Sequence, residues 1–204
     1  PASGPCYEYP APLMVSQEQR MIPEFDLHGV LPPFVGQTPT LPAARAPYAC
    51  TLNQIIERLG TSDRRRQILA GFIEYRQALR GLGVHNAVQW CDGSFVEDKE
   101  PNDIDVITWA PLGAMAKEEK ERLLAENLWI VDPRECKKRF KVDGYFIDTS
   151  VLDPQALIER ATYWYGLFTH QRQTLRWKGI LKVQLRDAMD DNVAKLMLAQ
   201  AGEE

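Results

Sequence analysis

Trp90-Cys91-Asp92-Gly93-Ser94-Phe95-Val96-Glu97-Asp98-Lys99-Glu100-Pro101-Asn102-Asp103-Ile104-Asp105-Val106-Ile107-Thr108-Trp109 reads as a strand, a tight turn, a short acidic excursion and a second strand. The second strand is β-branched and aromatic from Val106 to Trp109, a composition that suits a pleated, half-buried surface. Asp103 and Asp105 stand two apart at its head, and side chains at i and i+2 of a strand share a face. Two carboxylates side by side repel each other unless a cation sits between them. A hard divalent ion, Mg²⁺ or Mn²⁺, answers that need. Mg²⁺ takes one or two carboxylates together with substrate phosphates. Ile104 and Val106 then turn the other way, into a core.

Gly93-Ser94 supplies the complementary half. A glycine after a strand allows close backbone approach or a positive φ. Successive N–H groups in such a turn form an anion-binding nest, and the serine adds a hydroxyl. If a short helix starts at Ser94, its N-terminus also favours phosphate. A phosphate cradle at Gly93 and Ser94 and a metal-holding pair at Asp103 and Asp105 therefore sit on adjacent elements. They are joined by residues 95–102, a layout that presents the phosphates of a nucleoside triphosphate to Mg²⁺.

Gly-Ser followed by Asp-x-Asp on a strand resembles the signature of the polymerase-beta-like nucleotidyltransferase superfamily. Over the span from Met21 to Lys195 the chain also resembles a bacterial family of unknown function within it. That closer resemblance is carried by Met21-Ile22-Pro23-Glu24-Phe25, Leu31-Pro32-Pro33, Arg64-Arg65-Arg66, Asp92-Gly93-Ser94-Phe95-Val96 and Trp177-Lys178-Gly179. The resemblance implies an α+β fold, a small mixed β-sheet with helices packed on it. It implies transfer of a nucleotide from an NTP to a hydroxyl or amine, with two metals and a third carboxylate from a later strand. Asp148, within Gly144-Tyr145-Phe146-Ile147-Asp148-Thr149-Ser150-Val151, is the candidate, because a mid-strand aspartate needs a reason. Asp143 precedes Gly144 and reads more simply as a turn residue. Asp103, Asp105 and Asp148 would then be the catalytic and metal-holding set of a two-metal site. RNA, protein or a small molecule could accept the nucleotide, and a toxin or phage-defence setting is implied by resemblance alone.

Each piece also has a plainer reading. Asp-x-Asp is often a solvated strand face, and Gly-Ser is often only a turn. The competing class keeps the fold without catalysis, binding a nucleotide or a protein partner. A third class is an RNA-binding module built on residues 170–186.

Composition sets the bounds. The 204 residues support one domain, with 45% hydrophobic and 25% charged residues, ordinary for a globular protein. A net charge of −4 argues against bulk, non-specific nucleic-acid binding but leaves room for a local basic patch. Cys6, Cys50, Cys91 and Cys136 show no zinc spacing and suit reduced thiols. No apolar run has transmembrane length and no signal-peptide pattern is present, so a cytoplasmic protein without a membrane partner is expected. Walker A, dinucleotide and H-E-x-x-H motifs are absent.

Along the chain, residues 1–20 read as an irregular extension and 21–50 as a proline-rich arm packed on a domain spanning 51–204. Thr51 and Gln54 predict a capping box opening a helix that Gly60 ends. Thr61-Ser62-Asp63 predicts a second helix to about Arg80, with Arg64, Arg65 and Arg66 in its first turn as solvated or carboxylate-paired cations, or as an anion site. Val84–Trp90 predicts the strand feeding the turn, Lys117–Leu128 a surface helix, and Trp129-Ile130-Val131 a short strand. Asp132-Pro133 and Asp153-Pro154 each predict a helix start, and Asp187–Ala199 a final helix. The aromatics Tyr163, Trp164, Tyr165 and Phe168 read as core, with base stacking as the minor reading. Between Ala161 and Arg186 no acidic residue occurs. In that basic stretch Arg172 and Lys178 are the candidates to neutralise NTP phosphates.

Overall fold

The computed structural model describes residues 22–36, 44–186 and 188–201. The extension 1–20, Met21, arm residues 37–43 and Asp187 lie outside the described residues. The rest forms a mixed α+β fold, as expected, in the order β1 (Tyr48–Ala49), α1 (Leu52–Leu59), α2 (Asp63–Gly81), β2 (Val88–Asp92), β3 (Ile104–Ala110), α3 (Lys117–Glu126), α4 (Pro133–Phe140), β4 (Val142–Asp148), α5 (Pro154–Phe168), β5 (Leu181–Gln184) and α6 (Ala188–Gln200).

Local chemistry explains the helix boundaries. The Thr51 hydroxyl accepts from the Gln54 N–H at 3.3 Å, and the Gln54 carboxamide accepts from the Thr51 N–H at 3.0 Å. Two orphan donors of α1 are thereby satisfied reciprocally, and Leu52, Ile55, Ile56 and Leu59 form its buried stripe. Ser62, Asp132 and Asp153 cap α2, α4 and α5 through their side chains, with Pro133 and Pro154 in the first turns. Trp129-Ile130-Val131 is not a strand. Leu128–Ile130 is a single 3₁₀ turn, in which the Ile130 N–H donates to Asn127 O and the following Val131 N–H to Leu128 O. The caps of α4 follow so soon that no extended segment has room to form. Trp129 instead packs edge-on against Tyr75 and Phe140.

The sheet order is β1-β5-β2-β3-β4. β1 runs parallel to β5 and β3 parallel to β4, while β2 is antiparallel to both of its neighbours. The last of the described strands thus lies inside the sheet, between β1 and β2. One sheet face packs on α2. There Tyr75 shares a hydrogen bond of 3.0 Å with Thr108, and the buried Arg76 meets Gln89 at 2.7 Å. Arg76 also pairs at 2.9 Å with Asp191, fully buried on α6, and Arg80 pairs with the same carboxylate. α6 is therefore fastened to α2 by charge as well as by apolar contact. The other face carries Trp90, Trp109 and Tyr145, covered by α5 through Trp164 and Tyr165, with ring centroids 4.6 Å apart for Tyr145–Trp164 and 6.3 Å for Trp90–Tyr165.

The described part of the arm is laced into this frame. The Leu31 N–H donates to Val96 O, just after β2, and Leu31 O accepts from the Gly179 N–H at 2.7 Å, just before β5. The Tyr48 hydroxyl donates to Pro32 O at 2.8 Å. Among the described residues no helix is long and apolar enough to cross a membrane.

Candidate functional site

Strand register assembles the site. Asp92 is opposite Asp105 across β2–β3, and Asp105 is opposite Asp143 across β3–β4. Directly paired residues project to the same face, so three carboxylates line up across three adjacent strands. Asp103, two residues before Asp105, joins them. All four border a cleft of about 370 Å³, faced on its other sides by Gly93, Ser94, Lys137, Lys178 and the His170–Gln173 stretch that includes Arg172.

Gly93 sits at φ +83°, and a Cβ there would collide with the Asp105 carboxylate. Only glycine satisfies both constraints. A one-turn 3₁₀ helix, Gly93–Val96, follows and buries Phe95 and Val96. The excursion after it is held from behind by Arg65, not by solvent. This 4% exposed guanidinium donates to Phe95 O and Lys99 O at 2.9 Å each, and to Glu97 O. Arg64 donates to Pro101 O and to the Asn102 carboxamide at 3.2 Å each, and Arg66 pairs with Asp63. The arginine triplet is therefore largely a backbone clamp. Its cations find carbonyl oxygens because residues 95–102 run across the start of α2.

Lys178, expected at the phosphates, is placed differently. It is 3% exposed, donates to Gly93 O and Glu97 Oε1 at 3.0 Å each, and lies 3.0 Å from Asp92 Oδ1. The last contact is an ion pair without hydrogen-bond alignment, since Asp92 Oδ1 has no aligned donor. With its ammonium fully engaged, Lys178 fixes the turn and is not free to clamp a phosphate. Glu97 also receives Lys99 at 2.7 Å and Gln171 at 3.0 Å. Arg172 is exposed at the cleft rim.

Asp148 is not part of this cluster. It ends β4 opposite Ala110, five residues beyond Asp143. Its Oδ1 accepts from the Leu112 and Ser150 N–H groups at 3.1 and 2.9 Å, and Lys120 lies 3.2 Å from Oδ2. Burial pushes its pKa upward, but hydrogen bonds from Ser150, Leu112 and Lys120 overcome this and hold it below the usual value. Asp148 is a turn cap. Asp143, which reads as the turn residue in sequence, takes the place beside Asp105. The usable signal is strand direction: parallel β3 and β4 bring their first residues together, so an acid at the head of one meets acids at the head of the other.

The electrostatics are those of a site short of positive charge. Burial, reinforced by Asp103 and Asp143, pushes the Asp105 carboxyl up to about 6. Burial pushes Asp92 up to about 7 in spite of Lys178, with Asp105 adding to the rise. Glu97 is held below its ordinary value: burial opposes this, but Lys99 and Lys178 outweigh it. Asp103, Asp105 and Asp143 are carboxylates, the type of hard oxygen donor that Mg²⁺ or Mn²⁺ takes, but they do not converge on one point. Among the described residues no three His, Cys, Asp or Glu side chains stand gathered as a metal cage. Asp103 is turned to Lys137, and Asp92 to Lys178.

These elements define an α+β protein with an acidic cleft at the edge of a glycine turn. The chain belongs to a family of unknown function (DUF6932), whose model matches residues 23–184. No curated protein and no solved structure matches it significantly.

Proposed function

We propose that the protein is a metal-dependent nucleotidyltransferase that moves a nucleoside monophosphate from an NTP to a hydroxyl or amine of an acceptor. The observation that carries this reading is the alignment of Asp105 with Asp103 beside it and Asp143 across from it, facing the Gly93-Ser94 turn over one cleft. A divalent ion that drew these three aspartates together would neutralise phosphate charge and activate the acceptor oxygen. The chain itself supplies the rest. Gly93 and Ser94 offer backbone N–H groups and a hydroxyl to the phosphates. Arg172, exposed at the rim, meets the phosphate tail. Lys178 keeps the turn in shape by holding Gly93 O. In the transfer, an acceptor oxygen or nitrogen bonds to the α-phosphorus, the bond to the β-phosphate oxygen breaks, and pyrophosphate leaves. A carboxylate oxygen of Asp105 or Asp143 takes the acceptor proton. A toxin or phage-defence role belongs to this proposal, through the resemblance of the motifs.

One observation favours a second reading. Lys137 occupies the Asp103 carboxylate, so a metal must displace it. If it cannot, the chain binds nucleotide without turning it over. Incubation with α-labelled NTPs, Mg²⁺ and cellular RNA and protein decides between them, beside Asp103→Asn/Asp105→Asn. Label transferred by the parent and not by the variant is the expected result. Equal labelling by both would overturn the assignment.

A further inference from the structure

The cleft opens at the sheet end where α4 runs into β4, and that end is basic. Residues 134–141 hold Arg134, Lys137, Lys138, Arg139 and Lys141 against a single Glu135. Arg134 is tied to Asp132, Lys137 to Asp103, and Arg139 lies over the Trp129 and Phe140 rings. Lys138 and Lys141 are exposed and have no ionic partner among the described residues. Lys141 O accepts from the Ile104 N–H, so this residue stands next to the head of β3, one step from Asp103. Arg64, exposed on the start of α2, reaches the same loop through Pro101 and Asn102.

Lys141 is also conformationally unusual. It ends α4 at φ 58°, in the left-handed region. Glycine is the ordinary occupant of that position, because a Cβ is disfavoured there. A cation near a helix C-terminus complements the dipole, but Lys137, Lys138 and Arg139 already do so in the last turn. The lysine thus stands against its backbone preference, beside the head of β3 that leads from Asp103.

We infer that the acceptor is a nucleic-acid strand, whose phosphodiester backbone runs over Lys138 and Lys141 and delivers its terminal hydroxyl to the aspartates. This rests on the nucleotidyltransferase reading for the chemistry, not for the binding. A polyanion is what unpaired cations beside an otherwise acidic chain select. A protein acceptor needs no such cations, and a small molecule would not extend to them.

The test is fluorescence anisotropy of labelled single strands of RNA and DNA, about 20 nucleotides long to exceed a typical site, over a range of salt and without NTP. The full chain is compared with Lys138→Gln, Lys141→Gly, their combination, and Lys195→Gln on α6, whose partner is Gln77. The parent should bind, with affinity falling steeply as salt rises. The combined variant should bind about tenfold or more weakly near 0.1 M salt, with a log–log salt slope shallower by about 1.4 for two lost contacts. Lys141→Gly should melt no lower than the parent, because glycine fits a left-handed cap; weaker binding with an intact fold is therefore the signature. Lys195→Gln should bind as the parent does. The strand bound more tightly identifies RNA or DNA as the source. Absence of binding to both strands, binding indifferent to the two lysines, or label that appears only on protein in the transfer assay would overturn the inference. Asp103→Asn/Asp105→Asn should still bind the strand. If that variant also still transferred label, the nucleotidyltransferase reading would fail while the strand-binding surface stood.

Discussion

Asp143 and Asp148 lie on one strand, and the structure gives them different surroundings. Asp143 faces Asp105 in register, whereas Asp148 satisfies the backbone donors of Leu112 and Ser150. Asp143→Asn should therefore reduce nucleotide transfer by about a thousandfold, the scale of removing a key electrostatic group, and leave the melting temperature nearly unchanged. Asp148→Asn should retain transfer and lose roughly 1 kcal/mol of stability, the scale of a lost cap. Paired kinetics and denaturation curves on the two variants test the assignment, and the reverse pattern would return Asp148 to the site. The single sequence could not separate these acids. Each stands in an aromatic and β-branched segment, and what distinguishes them is register with β3, which no local pattern encodes.

The elements themselves were more readable than their pairing. The Thr51–Gln54 box, the Ser62, Asp132 and Asp153 caps and the apolar stripe of α1 are local chemistry, and local chemistry survives folding unchanged. The Asp-x-Asp strand was legible for the same reason, through alternation of Ile104 and Val106 with the acids. What stayed hidden required neighbours distant in sequence. Arg65 looks like one cation of three until residues 95–99 present their carbonyls to it, and Lys178 looks like a free base until Gly93, Glu97 and Asp92 enclose it. Arg65→Met should cost about 2–4 kcal/mol, since it strands buried carbonyl oxygens that lose charged donors. It should also disorder the excursion that joins the two motif halves. Urea denaturation together with NTP binding measures both. An unchanged midpoint would show that the clamp is dispensable.

At the scale of the whole molecule, the acidic cleft links folding to pH and to cations. Asp92 and Asp105 titrate in the folded chain at about 7 and about 6, above the ordinary aspartate value of about 3.9. A folded pKa raised in this way means that the folded state holds these protons more tightly than the unfolded state does. Their contribution is most favourable at acid pH and is lost as pH rises through about 4 to 7. The divalent ion of the proposed function would bind the ionised carboxylates and oppose that loss. Millimolar Mg²⁺ should thus raise the melting temperature clearly at about pH 8 and hardly at about pH 5. Scanning fluorimetry at the two pH values checks this; a rise equal at both would mean that these carboxylates are not where the ion binds.

The place of β5 has a consequence for how the protein is made. Of the described strands, the one that completes the sheet between β1 and β2 is synthesised last, and Lys178, which precedes it, secures a turn laid down some eighty residues earlier. A ribosome that has passed β4 has already translated the glycine turn and the aspartates. The chain it carries still lacks the cation that shapes the turn and the strand that shields the edge of β2. The cleft therefore takes its finished shape only once residues 178–184 have left the exit tunnel and β5 has joined the sheet.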